Sequence, residues 1–259
     1  MKIVVCIKHV PDVQSERRLE GGRLVRGEED VLNELDENAV EAAVALVEEL
    51  GGEVIALSMG PEDAEDGVRR ALQMGADSGV VVTDAALAGA DVPITARTLA
   101  AAVSKLGGVD SGPGDVDLVI TGMASLDAMT SMLPGALAAA LHVPALTLAS
   151  SLEVSADEAT VTRATGTVRE VLSAPLPALV SVTDQANEPR YPNFAAMRAA
   201  RKKPVDTWDL EDLGLADVEA GIAVVDFAER PARQGGIIRT DAGEAGRELA
   251  AWLVENNLV

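Results

Sequence analysis

Short apolar runs alternate with longer amphipathic segments through the first 145 residues of the chain. Four of these runs are rich in β-branched residues, which is typical of strands buried on both faces of a parallel sheet. They are KIVVCIK (2–8), EVIALSM (53–59), GVVVT (79–83) and DLVITG (117–122). Because helical segments of about 10 to 15 residues accompany them, the pattern predicts right-handed βαβ units and a doubly wound, Rossmann-like α/β fold.

Four helices are predicted around these strands from apolar residues at helical spacing. They cover 33–50, 60–77, 93–106 and 134–143. Asp36 is the expected N-cap of the first helix, Pro61 opens the second helix and Gly75 ends it. His142 is expected to cap the C-terminus of the fourth helix, beside Pro144.

The second half of the chain has a different pattern. From residue 145 to 185, short strand-like runs follow one another without helices, which predicts an antiparallel extension of the sheet. A segment with clustered basic residues follows at 187–203, then an irregular stretch at 204–215 and a last helix at 242–257.

The charge of the chain excludes several kinds of partner. It has 42 acidic residues against 21 basic ones and a formal net charge of −21, so it lacks the basic surface that nucleic acids and anionic membranes require. No apolar run approaches the roughly 20 residues of a membrane-spanning helix, and the single cysteine, Cys6, excludes an intrachain disulfide and a Cys-rich metal site. We therefore expect a cytoplasmic protein with no membrane insertion, no nucleic-acid partner and no metal.

Two loops are candidates for a ligand site, because ligands of open α/β sheets bind beyond the carboxyl ends of strands where the strand order reverses. One follows the first strand and carries Lys8; the other, TGMASLDAMTSMLPG (121–135), follows the fourth. In the second loop Gly122 allows close backbone approach, and the next helix N-terminus favours a phosphate. The hydrogen-bonding side chains are Ser125, Asp127, Thr130 and Ser131. The pattern predicts a nucleotide-phosphate cradle; the alternative is a loop that only turns the chain and caps a helix.

Little in the sequence indicates catalysis. His9 and His142 are the only histidines, and Cys6 lies inside a predicted strand, where we expect a small core residue rather than a thiolate. GGVDS (107–111) imitates the pyrophosphate loop of ATP-cleaving synthetases, but it ends a predicted helix instead of opening one, so we interpret it as a coincidence. We expect a binding protein and not an enzyme.

Several stretches together resemble the β subunits of electron-transfer flavoproteins. They are IVVCIKHVPD (3–12), LNELDENAVEAAV (32–44), VIALSMGPEDAEDGVRRALQMGAD (54–77), NEPRYPNFAAMRAARKK (187–203) and TWDLEDLG (207–214). The likeness runs from residue 1 to about 215 and is most specific at 54–77 and 187–214. It implies an electron carrier in which a larger α subunit holds most of the FAD, while this chain buries AMP in a structural role.

Carried over by position, the resemblance assigns residues to the AMP site. With Lys8 from the loop argument, they are Cys6, Asn33, Glu34, Leu35, Asp36, Met59, Gly122, Ser125, Asp127, Thr130, Ser131, Met132 and Leu133. A second FAD in place of AMP, as in electron-bifurcating relatives, stays an alternative. Contact between this chain and the flavin also stays open, because Val13 and Leu35 stand where members of the family carry aromatic residues.

The resemblance interprets 187–203 as a recognition loop for partner dehydrogenases, with Phe194 as its anchor. The residues assigned to it are Arg190, Tyr191, Phe194, Met197, Arg198, Arg201, Lys202 and Lys203. The implied partners are the α subunit, acyl-CoA and related flavin dehydrogenases of fatty acid oxidation, and a membrane quinone oxidoreductase. A solvated amphipathic helix is the alternative for this segment.

Three regions and two rival functions complete the prediction. We expect a nucleotide-binding domain at 1–185, a recognition loop at 186–205, and a C-terminal arm at 206–259 that contacts the α subunit through RPARQGG and the helix carrying Trp252 and Leu253. That helix could equally close the chain's own core. The rivals are a free-standing ATP- or AMP-binding stress-response or regulatory domain and an adenylate-forming enzyme.

Overall fold

The computed structural model describes residues 1–259 except 111–114, 216, 217, 219, 220, 229, 232, 234, 237 and 239. It contains two compact units, Met1–Val224 and Val225–Val259. The described strands are β1 (Lys2–Ile7), β2 (His9–Pro11), β3 (Leu19–Glu20), β4 (Arg23–Leu24), β5 (Asp30–Leu32), β6 (Glu53–Met59), β7 (Ser78–Val82), β8 (Leu118–Gly122), β9 (Ala145–Ala149), β10 (Ser151–Val154), β11 (Glu158–Thr165), β12 (Val168–Pro175), β13 (Ala178–Val182) and β14 (Val205–Trp208). The described α-helices are α1 (Glu34–Leu50), α2 (Ala64–Met74), α3 (Val92–Lys105), α4 (Leu133–Leu141), α5 (Phe194–Ala200) and α6 (Ala245–Glu255).

A seven-stranded parallel sheet organises the first unit, in the order β14-β7-β6-β1-β8-β13-β9. Side chains alternate between the two faces along each strand, and the central strands are buried on both faces. In β1, Ile3 and Val5 enter one hydrophobic cluster with α1 and α2, whereas Val4 and Cys6 enter a second cluster with α3 and α4. The predicted doubly wound α/β fold is confirmed.

The strands beyond residue 145 are arranged differently from the prediction. β9 and β13 join the main sheet as parallel strands, and the antiparallel strands β10, β11 and β12 form a separate sheet of their own. The stretch 204–215, predicted to be irregular, contains the edge strand β14. A strand of four residues with two exposed positions gives too little hydrophobic alternation to be recognised from sequence.

The first turn of α1 fits closely against the ends of β1 and β8. The predicted N-cap, Asp36, is wrong: the helix begins after Asn33, and Asp36 lies buried in the first turn, where its carboxylate accepts the Lys8 backbone N–H at 2.8 Å. Burial raises the Asp36 pKa to about 7, against hydrogen bonds from Asn33, Lys8 and Gly122. A Cβ at Gly122 would overlap the Asp36 carboxylate and lie 2.7 Å from the Leu35 carbonyl oxygen, so only glycine fits there.

The C-terminal ends of α2 and α4 follow the predictions. Gly75 ends α2 with a positive φ of 135°, and His142 ends α4 in the left-handed conformation. The second helix begins later than predicted, because the residues after Pro61 form a turn and Asp63 is the N-cap.

Among the described helices, none is long and apolar enough to span a membrane.

The second unit contains α6, and none of the residues of this helix is buried. Its apolar side chains Leu249, Trp252 and Val254 are exposed. In the RPARQGG segment, residues 232 and 234 lie outside the described part of the chain. The predicted contact of this region with an α subunit stays a prediction.

Gly79→Ala tests the packing of α2 on the sheet. A Cβ at Gly79 in β7 would overlap Val68 Cγ1 of α2, so we expect overpacking to lower the free energy of unfolding by about 1–3 kcal/mol. Val68→Ala removes the clashing methyl group, so the double variant should lose less than the sum of the single variants in denaturant titrations. Gly135→Ala in α4 is the matched control, because its Cβ would meet nothing within 4 Å; additive Gly79 and Val68 effects would contradict this packing.

Asp36→Asn tests the buried carboxylate through pH. Because the pKa of Asp36 rises from 3.8 to about 7 on folding, the native state holds its proton more tightly than the unfolded chain. This contribution is complete below pH 3.8 and is lost as the pH rises through about 7. The free energy of unfolding of the parent, relative to Asp36→Asn, should therefore fall over this range by on the order of 4 kcal/mol. Glu49→Gln, on the exposed face of α1, controls for the loss of one charge. A parent-minus-variant difference that does not change with pH would refute the shift.

Candidate functional site

The two loops predicted to bind a ligand lie at the same edge of the sheet. β1 pairs in parallel with β8, with Cys6 opposite Thr121, so both strands end side by side. β6 and β7 lie on one side of β1, and β8 and β13 lie on the other, which makes the β1–β8 boundary the point where the strand order reverses. The sequence-based position of the site is therefore where an open α/β sheet forms its ligand crevice.

Asn33 holds the loop after β8 in place. Its side-chain amide donates to the Ala124 carbonyl oxygen at 2.9 Å, and its side-chain carbonyl accepts the Leu126 N–H at 3.0 Å. The side chain is fully buried and makes no capping bond to its own helix. Its backbone N–H donates to the Lys8 carbonyl oxygen at 2.9 Å, so this one residue ties together both candidate loops.

Cations converge on Asp127 in the same loop. Lys8 Nζ contacts its two carboxylate oxygens at 3.0 and 2.9 Å, and Arg26 forms a second ion pair with it. Burial of the Asp127 side chain, which is only 2% exposed, would raise its pKa, but Lys8 first, then Arg26 and Ser125, hold the pKa at about 2. Arg17 donates to the neighbouring Leu126 carbonyl oxygen at 2.9 Å. Two cations therefore pair with one carboxylate, and a third binds the backbone of the residue before it.

The rest of the loop turns outward before α4. Met129 and Ser131 have positive φ values of 51° and 52°, and Met129, Thr130, Ser131 and Met132 are exposed. Met132 is the N-cap of α4 and makes no side-chain capping bond, so the loop presents a helix N-terminus without an internal carboxylate cap.

Not every residue assigned to the site lies equally close to it. The structure brings together Lys8, Asn33, Asp36, Gly122, Ser125 and Asp127. Cys6 lies in the core, and burial, then the Asp36 charge, raises its thiol pKa to about 12, which agrees with the predicted core role. Met59 ends the neighbouring strand β6, and Glu34 is exposed at the start of α1.

Arg17 and Arg26 were not predicted as site residues. Both come from the long polar stretch between β2 and β5, whose strands are too short to give a periodic pattern. The available signal was the gathering of Arg17, Arg18, Arg23 and Arg26 in a strongly acidic chain.

GGVDS lies at the opposite edge of the sheet. Gly107 and Gly108 follow the end of α3, and the Leu106 carbonyl oxygen accepts from Lys2 Nζ at 3.0 Å, at the start of β1. Its described residues, 107–110, are therefore far from the carboxyl ends of the strands, which agrees with the interpretation as a coincidence.

Two of the five cations in 187–203 are engaged inside the molecule. Arg190 pairs with Glu41 at 2.7 Å and Glu48 at 2.6 Å on α1. Lys203 Nζ donates to the carbonyl oxygens of Leu72, Gly75 and Ala76 at the end of α2, and burial lowers its pKa. These two residues fasten the ends of the segment to neighbouring helices.

The middle of the segment projects into solvent. Tyr191 is 92% exposed and Phe194 88% exposed, and Met197 is half-buried. Asn193 caps α5 by accepting the Ala196 N–H at 2.9 Å, which fixes Phe194 as the first helical residue. The exposed cations nearby are Arg198, Arg201 and Lys202. We call Tyr191, Phe194, Arg198, Arg201 and Lys202 the aromatic–basic surface.

Comparison with known proteins places the chain in one family. A family model described as an electron transfer flavoprotein domain matches residues 22–213. The chain is 36% identical over 270 residues to electron transfer flavoprotein subunit beta of Mycobacterium tuberculosis (strain ATCC 25618 / H37Rv), with 99% of each chain covered. It is 33% identical over 270 residues to the caffeyl-CoA reductase-Etf complex subunit CarD of Acetobacterium woodii, with 100% of each covered. The corresponding beta subunit of Megasphaera elsdenii is 31% identical over 247 residues, 92% of this chain and 91% of its own. The chain therefore belongs to the electron transfer flavoprotein family and is similar over its whole length to the family's beta subunits.

Proposed function

We propose that the chain is the β subunit of a heterodimeric electron-transfer flavoprotein. In this proposal an α subunit holds most of the FAD, which accepts electrons from flavin dehydrogenases such as acyl-CoA dehydrogenases and passes them to a membrane quinone oxidoreductase. The chain itself supplies a dehydrogenase-docking surface and a site for AMP. Family membership and the full-length likeness to beta subunits support the carrier role.

The aromatic–basic surface is the observation that carries the proposal. The chain has only five aromatic residues, and its single tyrosine and one of its two phenylalanines are the side chains exposed here. Aromatic and arginine side chains are the residues that most often carry binding energy at protein interfaces. Three exposed cations beside them, on a chain of net charge −21, favour a partner with an acidic surface.

The small size of this surface suits a carrier that must dock and leave. Redox encounter complexes usually bury less than about 1,200 Å² in total, so an aromatic anchor with a cationic rim is sufficient. Arg190 and Lys203 hold the segment on α1 and α2, so the anchor is presented on a fixed base. This arrangement reduces the ordering cost of each encounter.

The charge balance of the Asp127 loop supports the nucleotide proposal. Lys8 and Arg26 pair with a single carboxylate there and Arg17 binds the Leu126 carbonyl oxygen, which leaves the loop with a surplus of positive charge. The uncapped N-terminus of α4 adds N–H donors. These residues fit the phosphate of AMP, and Lys8 and Arg26 would hold it. FAD, when bound in the heterodimer, supplies the redox chemistry, and the residues of this chain bind, orient and shield.

Phe194→Ala tests the docking surface. Removing a central aromatic anchor costs 2 kcal/mol or more at typical hot spots, so kcat/KM for electron transfer from a partner dehydrogenase should fall by about 30-fold. The fall should be of similar size at every ionic strength, because the three cations remain. Leu50→Ala, which shortens an exposed apolar side chain at the far end of α1, should leave the rate unchanged. Parent-like transfer by Phe194→Ala would rule out this anchor.

Asn33→Ala tests the nucleotide site. The variant loses both hydrogen bonds to the β8–α4 loop, so the nucleotide released on denaturation, identified by mass spectrometry, should fall well below one per chain. Asn38→Ala is the matched control on the same helix, because its buried amide also makes two hydrogen bonds, but to Asn187. Each variant should lose about 1–3 kcal/mol of stability, and only Asn33→Ala should lose nucleotide. AMP from the parent supports the proposal, FAD indicates a second flavin instead, and equal loss in both variants would contradict the assigned site.

A further inference from the structure

A second group of side chains, separate from the Asp127 loop, has the composition of a metal site. His9, Asp30 and Asp63 each offer one ligand atom, and the three atoms lie within 4.8 Å of one another. His9 Nδ1 lies 4.0 Å from Asp63 Oδ2. We propose that these three residues bind one divalent transition-metal ion of the zinc type, with water completing the coordination.

The fold brings the three residues together although they are far apart in sequence. His9 in β2 pairs with Leu32 in β5, so Asp30, two residues away on the same strand, lies on the same face of this two-stranded sheet. The helix α2 packs on both strands, and Gly67 of this helix faces His9, since a Cβ there would lie 3.4 Å from His9 Cβ. Asp63 immediately precedes α2 and so reaches the group from the third element.

Two of the candidate ligand atoms are buried without a hydrogen-bond partner among the described residues. The His9 side chain is only 8% exposed, and its Nδ1 makes no hydrogen bond within the described part of the chain. Asp63 Oδ2 is likewise buried and makes no hydrogen bond there. Buried polar atoms are nearly always satisfied, so two orphan atoms facing each other indicate a missing ligand between them.

The Asp63 side chain does not cap the helix that it precedes. It occupies the N-cap position of α2, where an aspartate normally accepts a helix N–H, but its side chain makes no capping bond. The carboxylate instead faces His9, and Gly27 passes so close that a Cβ would lie 2.9 Å from Asp63 Oδ2. The backbone of the polar stretch between β2 and β5 therefore lies directly against the Asp63 carboxylate.

The donor set decides the class of ion. One imidazole nitrogen and two carboxylates are typical ligands of zinc, which takes three protein ligands and a water at about 2.0–2.2 Å. An all-oxygen ion such as magnesium would not use the imidazole. The His9 and Asp63 atoms, 4.0 Å apart, need to approach by less than about 1 Å to meet this geometry, and atoms at the 4.8 Å limit by about 1.5 Å. Rotation of the two half-buried carboxylates provides this movement.

The ion would fasten the polar stretch between β2 and β5 to the body of the domain. Arg26 lies in this stretch, donates to the His9 carbonyl oxygen at 3.2 Å and pairs with Asp127. The metal would therefore lie beside the proposed phosphate cradle and hold Arg26, one of the cations of the cradle, in position. The metal site itself would not be part of the cradle. This inference does not depend on the proposed electron-carrier function.

Zinc titration of the full-length chain against a chromogenic chelator tests the site. We expect one Zn²⁺ per chain and a higher unfolding midpoint with Zn²⁺ than with EDTA. His9→Gln, Asp30→Asn and Asp63→Asn should each weaken binding by more than about 100-fold, beyond the effect of losing an outer-shell partner, and remove the rise in midpoint. His142→Gln is the matched control, because it changes the only other histidine, which is exposed at the end of α4.

Several results would overturn the proposal. They are a parent that binds no Zn²⁺ at micromolar concentration, a His9→Gln variant that binds as the parent does, or a His142→Gln variant that loses the ion. If His9→Gln does not fold in EDTA, the half-buried Asp30→Asn variant decides the question by the same titration. Co²⁺ in place of Zn²⁺ gives an independent readout, since the visible d–d absorption of four-coordinate Co²⁺ in the parent, and its loss in Asp30→Asn, are expected for a site built on these ligands.

Discussion

The candidate site depends on the contacts made by the first turn of α1. Asp36 accepts the backbone N–H of Lys8, Asn33 binds the loop after β8 on both its amide atoms, and Gly122 lets the turn approach without a side chain between. Each contact uses a buried polar group, and such groups are costly when left unpaired. The two loops at the reversal of strand order are therefore fixed relative to each other by these hydrogen bonds.

These contacts also explain why Asp36 is buried although burial disfavours its charged form. Burial raises its pKa to about 7, so near neutral pH the carboxylate is close to balance between its charged and neutral forms. The charged form accepts N–H groups from two strand ends, which no apolar side chain could do. We interpret the Asp36 carboxylate as the group that orients the two loops. Its burial lowers the free energy of unfolding of the chain.

Much of the fold could be predicted from hydrophobic periodicity, because the runs at β1, β6, β7 and β8 are long and buried on both faces. Periodicity does not report which neighbour a strand will choose, so β9 and β13 were assigned to an antiparallel extension although both pair in parallel. A two-residue strand or a four-residue edge strand carries too few positions to show a period.

The residues proposed for the nucleotide site could be selected from the sequence to the extent that they follow strand ends. Lys8 and Asp127 were selected because each lies in the loop after a central strand. Arg26 could not be, since its place beside Asp127 depends on how the polar stretch folds back over the sheet. Arg190 and Lys203 show the reverse case: their charge suggested docking, but both have internal partners, which only tertiary contacts reveal.

The ion pairs of Asp127 limit what the proposed phosphate cradle can hold. Asp127 is almost fully buried and depends on Lys8 and Arg26 for its low pKa, so a ligand that took both cations away would leave a buried charge unpaired. A phosphate must therefore share the cations with Asp127. With Arg17 also at the loop, three positive charges can serve one carboxylate and a phosphate together, while a longer polyphosphate would exceed them. In the proposed nucleotide site, this charge balance favours a nucleoside monophosphate over a triphosphate.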